Sequence, residues 1–123
     1  LVQVSWKALV SAMKRGIKIR MILDFDVARK AYSIDEWLID KGVDVRFIKL
    51  NCGCLHHKFM IVDGAAHAGS YNFTNESEFR NHEAAIFVKA TSNVLPCVVS
   101  SAADLISGFS TEFERLWYLA ATP

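Results

Sequence analysis

Polar side chains suited to phosphate chemistry are concentrated between residues 56 and 72, in the run HHKFMIVDGAAHAGSYN. His56 is followed two residues later by Lys58, and Asp63 comes five residues after the lysine. Ser70 and Asn72 close the run. An imidazole can attack phosphorus or carry a proton near neutral pH, and an ammonium group neutralises phosphate oxygens. The run therefore predicts a phosphate-binding or phosphate-cleaving site.

The spacing of these residues indicates how they meet. Residues 55–62 are apolar and partly β-branched over the length of a strand, and the Asp-Gly pair that follows is a strong turn signal. Because successive side chains of a strand alternate between its faces, we expect His56 and Lys58 on one face. The chain then returns, and we expect Ser70 and Asn72 on the same face of the neighbouring strand. Two strands thus build one polar patch.

The order His56-x-Lys58-x4-Asp63, followed by Gly69-Ser70-x-Asn72, resembles the HKD motif of the phospholipase D superfamily. The resemblance to single-motif bacterial members extends over residues 10–117. Its further segments are Arg15-Gly16 with Met21-Ile22-Leu23-Asp24, Asn81-x-Glu83, and the EFERLW run that begins at Glu112. The resemblance implies an α/β fold, a phospholipase D-like sandwich in which a mixed β-sheet is flanked by helices on both faces.

A mechanism also follows from the resemblance, namely phosphodiester hydrolysis through a phosphohistidine on His56, without a metal or other cofactor. Glu83 would bond the far ring nitrogen of His56 and fix its tautomer. Asp63 would brace the turn and the partner lysine. The catalytic candidates are therefore His56, Lys58, Asp63, Ser70, Asn72 and Glu83.

Hydrolysis of this kind needs one histidine that attacks and one that donates a proton. Since the sequence holds a single motif, the resemblance implies a homodimer with the active site on its twofold axis. Nucleic acid, DNA or RNA, is our first-ranked substrate, because the Ala31-Tyr32-Ser33 stretch and the EFERLW run resemble bacterial endonucleases. An anionic phospholipid is the alternative, because the run from His56 to Phe59 also resembles the mitochondrial cardiolipin hydrolase type.

Two features depart from the family pattern. Five residues separate Asp63 from Gly69, where the family usually has six. A one-residue deletion turns Ser70 and Asn72 away from His56 unless the turn absorbs it. The chain also begins close to its first predicted helix, so we expect the family's first strand to be absent. A catalytically inactive, dimerising domain is therefore a further alternative.

Composition predicts one soluble globular domain over residues 1–123. With 52% hydrophobic and 22% charged residues, a chain of 123 residues can bury a sizeable core. The net charge of +1 excludes a strongly basic field over the whole protein, so any basic surface must be local. No stretch approaches the roughly 20 apolar residues of a membrane span.

The remaining elements follow from hydrophobic periodicity and turn signals. We predict a first helix that ends at Gly16, a segment broken near Ser33, and a last helix that begins at Pro96 and is kinked at Gly108. The predicted strands are residues 17–23, 43–50, 55–62 and 83–89. We interpret Asp24 and Asp26 as helix caps, with a place beside the site as the alternative.

Three cysteines, Cys52, Cys54 and Cys97, are an odd number and indicate reduced, partly buried thiols instead of a disulfide framework. A zinc site formed by Cys52 and Cys54 with His56 or His57 is a rival interpretation. It is disfavoured because structural zinc sites usually space their cysteine pairs by two to four residues, and here the spacing is one.

Overall fold

The computed structural model describes residues 3–29, 35–91 and 96–121. Helices and strands are combined, which confirms the predicted α/β class. In chain order the elements are α1 (Gln3–Lys14), β1 (Arg20–Asp24), α2 (Phe25–Ala28), α3 (Asp35–Asp40), β2 (Asp44–Ile48), β3 (Phe59–Val62), β4 (Ala65–Gly69), α4 (Asn75–Phe79), β5 (Ala85–Lys89) and α5 (Pro96–Leu119).

The parallel sheet consists of β1 and β2, in a register that runs from Arg20 opposite Asp44 to Asp24 opposite Ile48. Alternation sends every second side chain to each face. One face carries Val45, which packs with Leu38 in a core that includes side chains of α1 and α3. The other face carries Ile22 and Ile48, which pack against α5. Helices therefore cover both faces of this sheet, as predicted.

The antiparallel sheet has the order β3-β4-β5. Its first hairpin pairs Val62 with Ala65, so that only Asp63 and Gly64 form the turn. Both have positive φ, 43° and 78°. Two-residue hairpins favour turns of this kind, because their twist matches that of the strands. The Asp-Gly signal in the sequence was therefore correct.

The predicted single mixed sheet is divided among the described residues into one parallel and one antiparallel sheet. The edge of β2 that faces away from β1 has a partner outside both sheets. Phe47 pairs there with Ala121, whose carbonyl accepts the Phe47 N–H at 2.8 Å. The chain beyond α5 thus occupies the edge of β2, and α5 packs against both sheets.

All four predicted strands are longer than the observed ones at one or both ends. Apolar alternation continues beyond the residues that find a neighbouring strand, and pairing sets the limits of a strand. Gly16 ends α1 as predicted, with φ of 84° and its N–H donated to the Met13 carbonyl at 2.8 Å. The predicted break at Ser33 lies outside the described residues, and α5 continues through Gly108.

Candidate active site

His56 and Lys58 lie just before β3, in an extended segment outside the regular strand. The prediction of a strand from residue 55 was therefore wrong at its start. Lys58 carries the segment into the sheet, since its carbonyl accepts the Gly69 N–H at 3.1 Å. Its ammonium bonds the His56 carbonyl at 2.7 Å. His56 itself is exposed, so its imidazole is accessible to a substrate.

Both oxygens of the Glu83 carboxylate are held by hydrogen bonds. The Ser70 hydroxyl donates to Oε2, and the Asn81 amide donates to Oε1 at 3.1 Å. The Ser70 hydroxyl also accepts the Ala84 N–H at 3.1 Å. The hydroxyl of Ser70, then the Asn81 amide, and last the nearby charge of Lys58 hold the pKa of Glu83 below its ordinary value. Glu83 is thus a fixed, ionised carboxylate.

The structure brings four of the six predicted residues into one region. His56 and Lys58 enter through the segment before β3, while Ser70 and Glu83 come from the ends of β4 and β5. The bond from the Gly69 N–H to the Lys58 carbonyl joins the two halves. Among the described residues the His56 ring has no hydrogen-bond partner, so its predicted bond to Glu83 stays a prediction.

Gly69 allows the two strands to meet at this point. A Cβ atom there would lie 2.7 Å from the Ala85 Cα and would also overlap the Ala84 carbonyl. Glycine is required because no other residue lets the backbones approach so closely. The close approach in turn sets Ser70 beside Ala84, whose carbonyl accepts the Ser70 N–H at 2.9 Å.

We predicted that strand alternation brings Ser70 to the site. The structure does not place Ser70 in this way. Regular pairing sets Gly69 opposite Lys58, so continued alternation would set Ser70 opposite His57 and on the face away from His56. Instead β4 ends at Gly69, and a bend at Ser70 turns the hydroxyl to Glu83. The two-residue turn and the bend at Ser70 are local features that a side-chain period of two does not reveal.

Asn72 is exposed and lies two residues beyond the bend. Its N–H donates to the Ser77 hydroxyl at 3.3 Å. Ser77 is 5% exposed in α4, and its hydroxyl also contributes to the lowered pKa of Glu83. Sequence reasoning missed Ser77. Its one signal was Thr74, a helix-capping residue three positions earlier that bonds the Ser77 N–H at 3.3 Å.

Asp63 lies at the other end of the hairpin and is exposed in the turn. It is the fifth residue after Lys58, which corresponds to about 17 Å along a strand. The structure therefore does not bring Asp63 together with the other candidates within one chain. Its predicted role in bracing the turn and a partner lysine stays a prediction.

His57 belongs to a different surface. Its Nδ1 lies 3.9 Å from Glu112 Oε1 of α5, and its ring is 5.9 Å from that of Phe59. It borders a cavity of about 350 Å³ between β3 and α5, which Phe109 also lines. His57 therefore provides a matched control for His56, because it is a neighbouring histidine with different contacts.

The cysteine turn precedes the segment of His56. Cys52 and Cys54 are free thiols and both are exposed, so the prediction of partial burial was wrong for them. Gly53 has φ of 83° and turns the chain outward between them. Over the described ranges no three His, Cys, Asp or Glu side chains are grouped to hold a metal ion. No described helix is both long and apolar enough to cross a membrane.

Comparison with known proteins identifies the family to which the chain belongs. The sequence profile described as "Cardiolipin synthase, PLD-like domain" matches residues 2–117. The chain belongs to the phospholipase D superfamily. Its fold is close to that of a phospholipase D family member, Nuc from Salmonella typhimurium, with a TM-score of 0.78 and 26% identity over 95% of this chain and 71% of Nuc.

Curated relatives in the superfamily carry hydrolase names. The chain is 31% identical to a mitochondrial cardiolipin hydrolase of Xenopus tropicalis over 90% of its length and 47% of the relative. It is 33% identical to a phospholipase D of Rickettsia prowazekii over 67% of its length and 40% of the relative. The chain thus spans less than half the length of these curated relatives.

Proposed function

We propose that this chain hydrolyses phosphodiester bonds with His56 as the nucleophile. One observation carries the proposal: the Gly69 N–H ties the segment of the exposed His56 and of Lys58 to the strand end at which Ser70 and Asn81 hold the Glu83 carboxylate. This arrangement combines a nucleophile, a fixed cation and a fixed anion. Membership of the superfamily supports the same chemistry.

Lys58 supplies the positive charge that an anionic substrate needs. An ammonium group has three N–H donors, and among the described residues only the His56 carbonyl takes one. The others are available to phosphate oxygens. A unit charge about 4 Å from a phosphate oxygen contributes roughly 4 kcal/mol at an effective dielectric of 20. The exposed Asn72 adds an amide donor in this proposal, while the hydroxyl proton of Ser70 is already donated to Glu83.

The reaction we propose has two steps. In the first, a neutral nitrogen of His56 attacks phosphorus, the bond to the leaving oxygen breaks, and that oxygen takes a proton from a second, protonated histidine. In the second, water attacks the phosphohistidine while the second histidine takes the water proton. The phosphorus–nitrogen bond then breaks, and a phosphomonoester leaves. No metal or other cofactor takes part in either step.

The second histidine comes, in this proposal, from another copy of the chain. The sequence has one HKD motif, and a twofold axis beside His56 would bring two equivalent imidazoles to one phosphate. His56 is exposed, as such an arrangement requires. The homodimer is thus part of the proposed mechanism.

The proposal is tested with bis(p-nitrophenyl) phosphate in excess chelator. We expect turnover by the wild type, none by His56→Ala and most of it by His57→Ala, because the last residue lies against Glu112. Equal loss in both variants would contradict the assignment of the nucleophile. Loss in chelator with recovery on added zinc would contradict the metal-independent mechanism. Absence of turnover in all three proteins would favour the inactive, dimerising alternative.

The substrate class needs a separate experiment. Our sequence interpretation ranks nucleic acid first, while the curated names, mitochondrial cardiolipin hydrolase and phospholipase D, support a phospholipid as the alternative. Values of kcat/KM for DNA and RNA oligonucleotides and for cardiolipin vesicles, each measured beside His56→Ala, separate the two. Cleavage of vesicles without cleavage of either oligonucleotide would contradict the nuclease prediction.

A further inference from the structure

Asp24 uses its two carboxylate oxygens for different purposes. It ends β1, at the carboxyl edge of the parallel sheet. Oδ1 accepts the N–H groups of Asp26 at 3.1 Å and Val27 at 3.0 Å, which caps α2. Oδ2 accepts the Leu55 N–H at 2.7 Å. The second bond joins positions 31 residues apart in the sequence and is partly buried.

Leu55 immediately precedes His56, so this bond acts on the backbone of the proposed nucleophile. The segment before β3 joins the antiparallel sheet only at Lys58, through the Gly69 N–H. His56 therefore lies between two attachment points, Leu55 on one side and Lys58 on the other. A hydrogen bond to an ionised carboxylate is about twice as strong as one between neutral groups.

We propose that Asp24 is a positioning residue, which fixes His56 for attack by holding the Leu55 N–H from the end of β1. The inference rests on the proposed function, because it gives Asp24 a part in that reaction. A cap alone needs one oxygen, and Asn caps a helix about as well as Asp does. The second oxygen has a task that only the segment of His56 explains.

Asp24→Asn separates the two tasks. The amide oxygen can still cap α2, but the amide nitrogen is a donor and would face the donor N–H of Leu55. We expect kcat to fall about 10- to 100-fold with KM nearly unchanged, since a small displacement of a reacting group has effects of this order. The control Asp26→Asn makes the same charge change at an exposed neighbour and should retain the wild-type kcat.

A second variant removes only the donor. Replacing the amide of Leu55 by an ester, through incorporation of the α-hydroxy acid, leaves Asp24 and its cap intact. We expect the same loss of kcat as in Asp24→Asn. Wild-type kcat in both proteins would overturn the inference.

A readout that does not depend on turnover separates this inference from the proposed function. In imidazole ¹H–¹⁵N spectra, the signals of His56 should shift and broaden in both variants, while those of His57 stay unchanged. Unchanged His56 signals would overturn the inference even if activity fell. Altered His56 signals in a protein whose wild type shows no turnover would contradict the proposed function and uphold the positioning.

Discussion

Ser70 and Asn81 donate to both oxygens of Glu83 and lower its pKa. Ser70 is the largest cause of the lowered pKa, so Ser70→Ala should move the pKa of Glu83 upward toward the ordinary carboxyl range. A carboxyl whose folded pKa is lowered contributes stability above its unfolded pKa and loses it as the pH falls through the folded value. In the variant the stabilising contribution of Glu83 should therefore be smaller, and as the pH falls it should be lost at a higher pH than in the wild type.

A ¹³C titration of the glutamate carboxyl groups measures this shift. Glu112 serves as an internal control, since Arg115 causes most of its lowered pKa. An unchanged titration of Glu83 in Ser70→Ala would show that the serine does not hold the carboxylate. A matching shift of Glu112 would indicate a general change of the fold.

Sequence reasoning found the residues of the site more readily than their contacts. His56, Lys58, Ser70 and Glu83 were chosen from a motif, and the structure brings them into one region. The bond from Ser70 to Glu83 depends on a bend after Gly69, which no alternation of side chains encodes. Ser77 was missed for a similar reason, because its burial and its bond to the Asn72 N–H depend on the chain path between β4 and α4.

The close approach of β4 and β5 depends on Gly69, and Gly108 offers a matched comparison. Gly69→Ala should reduce the free energy of unfolding by about 1–3 kcal/mol, because its Cβ would overlap the backbone of residues 84 and 85. Gly108→Ala, within α5 and with open space at its Cβ, should raise it by up to about 1 kcal/mol. Urea unfolding measures both. Equal effects would contradict the steric argument.

At the scale of elements, the order of helices and strands was predictable and their pairing was not. Apolar periodicity located four of the five strands, and the Asp63-Gly64 turn located the return strand β4. Among the described residues the strands form two sheets, and Ala121 pairs with Phe47 at the edge of β2. A contact between residues so distant in sequence leaves no local pattern.

At the scale of the whole molecule, α5 holds the two sheets together. Trp117 is 6% exposed and lies beneath two arginines of the parallel sheet, with the Arg46 guanidinium 4.2 Å and that of Arg20 5.1 Å from its ring. Earlier in the helix, Phe109 packs against Phe59 of the antiparallel sheet, with ring centres 5.3 Å apart.

Trp117→Ala should therefore reduce the free energy of unfolding by about 3–5 kcal/mol, the usual range for a buried aromatic residue. The control is Tyr118→Ala, because its neighbouring ring is 84% exposed and its removal should change stability by less than about 0.5 kcal/mol. Thermal and urea unfolding of both variants provide the comparison. A loss confined to one sheet in hydrogen exchange would contradict the joining role of α5.

The proposed homodimer makes a prediction about mixtures that no single variant tests. If each active site takes one His56 from each copy, a dimer of one wild-type and one His56→Ala chain lacks either the nucleophile or the proton donor. After unfolding and refolding in equal amounts, random pairing leaves about one quarter of the dimers fully wild type. Turnover should then fall to about one quarter of that of the same total amount of wild-type protein, whereas independent monomers would retain about one half.

Mixing with His57→Ala instead should leave turnover near the wild-type value, because that residue faces Glu112 and not the proposed twofold axis. Activity of one half in the first mixture would contradict a shared site and would require the second proton carrier to come from the same chain.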